Sequence, residues 1–262
     1  LWHETRAVAE PGFRDTELFE YSQRMETAAA SACHVTITIS SGLKNWFMKR
    51  GVTEEKIKII PNSYDVTDLS PPKASIRNQD KLRLGFVGSL TKYEGLEFVM
   101  RAMSKSDVPV TLDIAGNGTH CKDLRKVAKS LGISELVRFR GSISHSDAVE
   151  LLSEIDLMVL CRTNSILTQL VPPLKLVEAM ALGVPVMVSR LEALEEVVGG
   201  REQAVLVEPE NSTDIKNALS KIQGDRKYLE TRRNNAHARC KAKYGWAQAV
   251  ALLHEAYGNI PE

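Results

Sequence analysis

Residues Val171 to Val186 read VPPLKLVEAMALGVPV. This stretch places Lys175 in the first turn of an amphipathic helix spanning Leu174 to Leu182, and Glu178 one turn further on. Pro172 and Pro173 suit a turn and a first helical position. A lysine in a first turn opposes the helix dipole, which favours acids there, so it is unfavourable unless an anion sits nearby. A bound diphosphate would reverse that sign. Glu178 is the only carboxylate between Asp156 and Glu192, and a carboxylate can accept two hydrogen bonds from a vicinal diol such as a ribose. The same two residues also suit a weak, solvent-facing pair at i, i+3. Spacing alone leaves both readings open.

Two glycine-bearing loops are the other candidates for close approach to a ligand. GSLTKYEG, from Gly88 to Gly95, follows the apolar run LRLGFV, and GNGTH, from Gly116 to His120, follows VTLDIA. Glycine at a strand end lets backbone approach a phosphate, although turn geometry alone also calls for it. A nicotinamide site needs G-x-G-x-x-G directly after the first strand, with an acid about 20 residues later. Neither loop supplies that, so a dehydrogenase fits poorly.

The elements that must carry these residues alternate along the chain. LRLGFVG, VTLDIAG, VRFRG, DLMVLC, VPVMVS and AVLVEP read as strands, with helical patterns between them from Leu96 to Met103, Cys121 to Leu131, around DAVELLSEI and over DIKNALSKI. Strands apolar on both faces that alternate with helices predict a doubly wound α/β domain on a parallel sheet. In such a sheet ligands sit at the carboxyl ends of the strands, where the loops above lie. Upstream, HVTITIS reads as a strand, Ser40 or Ser41 as the cap of a helix from Leu43 to Lys49 that ends at Gly51, and KIKIIPN as a second strand. VTDLSPPKASIRNQDK has two prolines and no periodicity. The expected organisation is therefore an N-terminal part over 1–66, a linker over 67–80, a ligand-binding domain over 81–240, and a C-terminal helix over 241–262 packing back toward the N-terminal part. The tail reads as two helices broken near Gly245, with Trp246, Val250, Leu253 and Tyr257 on one stripe.

With 34 Lys and Arg against 33 Asp and Glu, the formal charge of +1 gives no general pull toward nucleic acid or membrane. An anion site must therefore be local. The basic tail, from Lys227 to Lys243, has its charges spread around the turn and reads as a solvated face. Cys33, Cys121, Cys161 and Cys240 are far apart, with no metal or disulfide spacing, which suggests a reducing, cytoplasmic setting. No run approaches the length of a membrane span, and the start, LWHETRAVAEPGF, has neither signal-peptide order nor an initiator Met, as expected of one piece of a longer protein. The six histidines show no ligand spacing. Only His120, in a glycine loop, is a candidate for reaching a substrate.

VPPLKLVEAMALGVPVMVS resembles the donor-site segment of retaining glycosyltransferases of family 4, which have the GT-B fold of two facing Rossmann-like domains. HVTITISSGLKNWFMKRGVTEEKIKIIPNSYDV resembles the end of that family's N-terminal domain and its interdomain crossing. GFVGSLTKYEGLEFVMRAM, LDIAGNGTH, VRFRGSISHSDAVELLSEIDLMVL and AVLVEPENSTDIKNALSKI resemble successive parts of its C-terminal domain, and LWHETR a tryptophan-containing stretch midway through the N-terminal one. The resemblance runs nearly the whole chain. It implies one complete donor-binding Rossmann-like domain with a partial N-terminal one lacking its first part, and a retaining transfer from a nucleotide-diphosphate sugar to a hydroxyl acceptor without a metal or cofactor. A glycan or lipid-linked acceptor follows from the same resemblance, as does a place in the cytoplasm or at the inner face of the membrane, reached through the absent N-terminal part.

On this resemblance Glu178 holds the ribose, the backbone around Leu174, Lys175 and Leu176 faces the sugar and phosphates, and residues after Arg140 and Gly141, near Ile143, border the base. Gly88, Ser89, Glu94, Gly116, Asn117 and Gly118 complete the donor contacts. The chain departs from the pattern where the family places an arginine and a lysine against the diphosphate: Ser89 and Glu94 stand there. The first of the family's paired glutamates is replaced by Leu170, beside Gln169. Lys92, Lys175 and Arg162 are cations at the same sheet edge, and the expectation is that Lys175, helped by Arg162, takes over the phosphate role. The 262 residues alone are expected to bind donor with little transfer. The alternative is a nonenzymatic sugar-nucleotide-binding module.

Overall fold

In the computed structural model, which describes residues 1–10, 12–66, 81–225 and 227–258, six parallel strands carry the larger part of the chain. The segment expected as a linker lies outside the described residues. The N-terminal part runs through α1 (Trp2–Ala9), α2 (Glu17–Ala32), β1 (Thr36–Thr38), α3 (Ser41–Met48) and β2 (Ile57–Ile59), with β1 and β2 paired in parallel. Ser40 caps α3 by accepting from the Leu43 amide at 3.1 Å, which settles the cap that the sequence left between two serines. Trp46, Phe47, Val52, Ile57 and Ala30 close a small apolar core of their own.

The larger unit runs β3 (Leu82–Val87), α4 (Leu96–Ser104), β4 (Val110–Ala115), α5 (Cys121–Ser130), β5 (Val137–Gly141), α6 (His145–Glu154), β6 (Leu157–Leu160), α7 (Ile166–Leu170), α8 (Leu174–Ala181), β7 (Val186–Ser189), α9 (Glu192–Val198), β8 (Val205–Val207) and α10 (Ser212–Gly224). The sheet order β5-β4-β3-β6-β7-β8 puts β3, the first of these strands in the sequence, in the middle and reverses direction between β3 and β6. That reversal opens the crevice of a doubly wound sheet at the carboxyl ends of the strands. β3 and β4 pair along their full length, from Leu82 opposite Val110 to Val87 opposite Ala115, so their glycine loops emerge side by side. Leu84, Phe86, Leu112, Ile114, Leu157 and Met158 have no exposed surface. This is why these strands read as unbroken apolar runs rather than alternating ones.

After α10 the chain forms α11 (Lys227–Lys243) and α12 (Trp246–Gly258), parted at Gly245 as the sequence indicates. α11 packs along α8, where His237 Nδ1 lies 2.8 Å from the Ala181 carbonyl. At its end Tyr64 donates its backbone N–H to the Tyr244 carbonyl at 2.8 Å, tying the N-terminal part to the tail. Trp246, Val250, Leu253 and Tyr257 do share one stripe, but all four are exposed. Only Ala256 of α12 is buried.

Glu196, on α9, joins the two parts a second time. Its carboxylate accepts from the Ser41 amide at 3.0 and 3.1 Å and from the Ser41 hydroxyl at 2.8 Å. A carboxylate at the start of α3 meets amides that have no partner inside the helix and the positive end of its dipole.

Candidate functional site

α8 begins at the end of a strap whose carbonyls are tied down one after another. Leu170 O accepts from the Ser40 hydroxyl at 2.6 Å, Val171 O from Arg162 at 2.9 Å, and Pro172 O from the Asn62 amide at 3.1 Å. Pro173 fixes the last backbone angle before the helix, at φ −79°. With all three carbonyls occupied, the chain enters α8 along a fixed path, and Lys175 from its first turn reaches Gly88 in the β3 loop. Leu170 itself packs into the small N-terminal core, with its side chain 3.2 Å from where Gly42 would carry a Cβ. An apolar side chain at this position therefore serves the contact between the two parts.

The glycine loops are stitched into a shared floor. The Gly88 amide donates to Ala115 O at 3.0 Å, the Gly116 amide to Gly141 O at 2.7 Å, and the Leu90 amide to Asn117 O at 2.9 Å. Gly116 has φ +127°, and a Cβ there would lie 1.9 Å from the Gly88 carbonyl oxygen. No other residue allows the two loops to come so close. Above this floor opens a cleft of about 470 Å³, lined by Gly88, Ser89, Gly116, Asn117, Ile143 and His145 among others.

Lys175 closes one side. Its Nζ sits 2.8 Å from the place of a Gly88 Cβ, 4.1 Å above the Phe86 ring and 2.9 Å from Glu94 Oε1. Arg162 Nε stands 3.7 Å from Glu94 Oε2, and both of these side chains are about 95% buried. Burial pulls the Lys175 ammonium below its ordinary range, Glu94 pushes it back up, and Arg162 lowers it further. Two buried cations thus share one buried carboxylate, which leaves the cluster one positive charge in excess.

Glu178, one turn along the same helix, stands beside another lining residue, with Oε1 3.6 Å from His145 Nδ1. Half-burial pushes its carboxyl up, and His145 opposes that shift. Tyr64, on the crossing segment, also feels this carboxylate: burial first, then Glu178 and Asp65, raise its phenol. The cleft is thus flanked by an ammonium beside Gly88 and a carboxylate beside His145, and Ile143 belongs to its lining.

The remaining candidates divide by position. Ser89 and Asn117 line the cleft, and Leu174 is half exposed at the head of α8. Leu176 is fully buried in the core, so only its backbone belongs to the helix end. Gly118 lies under the Leu90 carbonyl, 2.3 Å from a hypothetical Cβ, and supports the loop contact. Arg140 turns away from the cleft and donates to Asp113 Oδ1 at 2.9 Å. Glu94 and Arg162 are too deep to meet a bound molecule directly, and Lys92 is exposed. His120 lies between Glu97 and Asp123, 3.6 and 3.7 Å away, behind the glycine loop. His145 was passed over by sequence reasoning, although its place directly after β5, at the carboxyl edge of the sheet, was a usable signal. Among the described residues no group of three or more His, Cys, Asp or Glu side chains gathers as metal ligands, and no helix is long and apolar enough to cross a membrane.

Residues 71–239 match the family described as Glycosyl transferases group 1. An uncharacterised glycosyltransferase of Methanocaldococcus jannaschii is 29% identical over 230 residues, covering 82% of this chain and 57% of that protein. The D-inositol 3-phosphate glycosyltransferase of Corynebacterium jeikeium is 26% identical over 226 residues, covering 78% and 52%. The chain thus spans little more than half the length of these relatives. Among solved structures, Anabaena HepE in complex with UDP superposes with a TM-score of 0.81 at 21% identity, over 92% of this chain and 68% of that one. The sucrose-phosphate synthase of Thermosynechococcus elongatus superposes at 0.79 and 20% identity, over 97% and 64%. The fold expected from the sequence, an α/β architecture of GT-B type, is the fold these structures share with it.

Proposed function

Because this chain belongs to the Glycosyl transferases group 1 family, we propose that its cleft binds the nucleotide-diphosphate sugar of a retaining, metal-independent glycosyl transfer. The observation that carries this reading is the pair of opposite charges that one helix sets beside the cleft, with the Lys175 ammonium against Gly88 and the Glu178 carboxylate beside His145. Glu178 accepts the two ribose hydroxyls, Ile143 borders the base, and the diphosphate lies over Gly88, where the head of α8 and Lys175 meet its charge. The Leu174 and Lys175 amides face the sugar end.

In the transfer, the bond from the anomeric carbon to the β-phosphate oxygen breaks. A new bond forms from that carbon to the acceptor hydroxyl on the same face, and the hydroxyl proton leaves with the diphosphate. Charge grows on the leaving oxygen, so donors fixed beforehand at that oxygen lower the barrier. The strap carbonyls bound by Ser40, Arg162 and Asn62 supply that fixity. The acceptor, a glycan or lipid-linked hydroxyl, comes from the side of the N-terminal part, and closure of two domains over the sugar completes the site. On this reading the 262 residues bind donor with little turnover, and the full enzyme works in the cytoplasm or at the inner membrane face.

The test compares UDP with uridine by titration calorimetry, UDP being the nucleotide held by a similar structure. Lys175→Met should weaken UDP by about tenfold or more, the scale of one lost charged contact, and leave uridine unchanged. Equal losses for both ligands would sink the reading.

A further inference from the structure

Glu94 occupies a position that an anion-binding site would not be expected to fill with an acid. It stands in the turn after β3, 3% exposed, with its carboxylate directed at the two cations nearest the head of α8. It could act in two opposite ways. As a competitor it would consume the charge of Lys175 and weaken any phosphate brought to the cleft. As a partner it would keep that charge in existence. An ammonium buried against an aromatic ring, with Arg162 as its other charged neighbour, holds its proton more firmly when a carboxylate stands beside it.

The geometry favours the partner. Glu94 Oε1 takes Lys175 at 2.9 Å, while Oε2 is buried, faces Arg162 Nε at 3.7 Å and has no hydrogen bond. One carboxylate is thus spread across two cations, so Lys175 is supported without being cancelled. Glu94 keeps 4% of its side chain exposed against 16% for Lys175, whose Nζ is the nearest atom to the place of a Cβ on Gly88, a residue that lines the cleft. A ligand over Gly88 meets the ammonium first. Without Glu94 the ammonium would face the Arg162 guanidinium from the next loop, the Phe86 ring from β3 and the uncharged Gly88 loop, with Glu178 one turn further along its own helix.

We propose that Glu94 is a positioning residue that holds Lys175 as an ammonium aimed at the diphosphate of the donor, acting through the lysine rather than on the nucleotide. This rests on the donor reading given above. It predicts a pH dependence with a definite sign. The protonated lysine binds diphosphate, and removing Glu94 makes the proton easier to lose. Affinity should therefore fall as pH rises through a lower value in the variant than in the parent chain.

The experiment measures UDP and uridine binding from pH 7.5 to 9.5, above the last phosphate ionisation near pH 6, in the parent chain, Glu94→Gln, Glu94→Asp and Lys175→Met. In Glu94→Gln the UDP affinity should drop severalfold at the alkaline end, where the lysine sheds its proton sooner. Uridine binding should hold, and the drop should shrink toward pH 7.5. Calorimetry in buffers of different ionisation heat should show more proton uptake on UDP binding by Glu94→Gln than by the parent. Glu94→Asp, which keeps the charge and is the milder change if Glu94→Gln fails to fold, should shift the alkaline limb the same way by less. Tighter UDP binding by Glu94→Gln, or an alkaline limb that does not move in either variant while Lys175→Met removes the preference for UDP, overturns this inference and leaves the donor reading intact. A preference for UDP that survives Lys175→Met overturns the donor reading itself.

Discussion

Replacing Glu178 with Gln asks whether the carboxylate recognises a ribose. Glutamine keeps the size of the side chain and one acceptor oxygen, so packing in α8 is preserved while the charge is removed. A hydrogen bond to a charged group contributes about 1.5–3 kcal/mol and a neutral one about 1, so two hydroxyls lose about 1–4 kcal/mol together. An opposing effect is visible in the structure, where half-burial pushes the Glu178 carboxyl up, so the charged form is already disfavoured and glutamine relieves that cost. The balance is about 0.5–3 kcal/mol, roughly 2- to 150-fold in affinity. The assay is a competition titration of UDP against its 2′,3′-dideoxy counterpart, with parent and variant. The ribonucleotide should weaken by that factor and the dideoxynucleotide should not weaken. Because the carboxyl is raised, ribonucleotide affinity should also decline as pH falls through the acid range, a limb that Glu178→Gln lacks. Equal weakening of both nucleotides would refute the diol argument.

Three further outcomes follow from local geometry. Gly116→Ala forces a Cβ within 1.9 Å of the Gly88 carbonyl oxygen at a φ of +127°; it should cost at least about 2 kcal/mol in denaturant unfolding and weaken UDP and uridine alike. Glu196→Ala strips the start of α3 of its carboxylate; a loss of about 1–2 kcal/mol should appear as faster hydrogen exchange in α3 and β2 with little change in β3 and β4. Cys161 is buried and its thiol is pushed up to about 12 by that burial, so a thiol reagent at pH 8 should label exposed Cys33 and spare Cys161 until the chain unfolds.

The sheet was legible because its strands are buried on both faces. Runs such as LRLGFV and DLMVL have no polar alternation to confuse them with surface strands, and Gly, Pro and Ser mark their ends. The helix at Leu174 was legible from its prolines and its apolar period. Glu94 was not. In the sequence it is an acid where a cation was expected, and only the fold shows that Lys175, 81 residues further on, returns to it across the β3 loop. Arg162 was placed at the right edge, but its depth was hidden, because a loop arginine reads as exposed until its guanidinium is found donating to Val171 O. His145 was discounted for lacking metal-ligand spacing, although its neighbour Glu178 lies 33 residues away and on another helix. In each case side-chain direction across distant loops decided the outcome, and periodicity carries no record of that.

The strap before α8 bears on how readily such a protein can be recombined. Two of its three carbonyls are held by Ser40 and Asn62, which precede residue 67, and the third by Arg162, which follows residue 80. Joining the six-stranded unit to the N-terminal part of another protein would exchange, along with that part, two of the groups that fix the start of α8. A chimera cut between residues 66 and 81 would thus keep each part whole and still release the strap that sets the head of α8, unless a serine and an asparagine were carried across at the equivalent places.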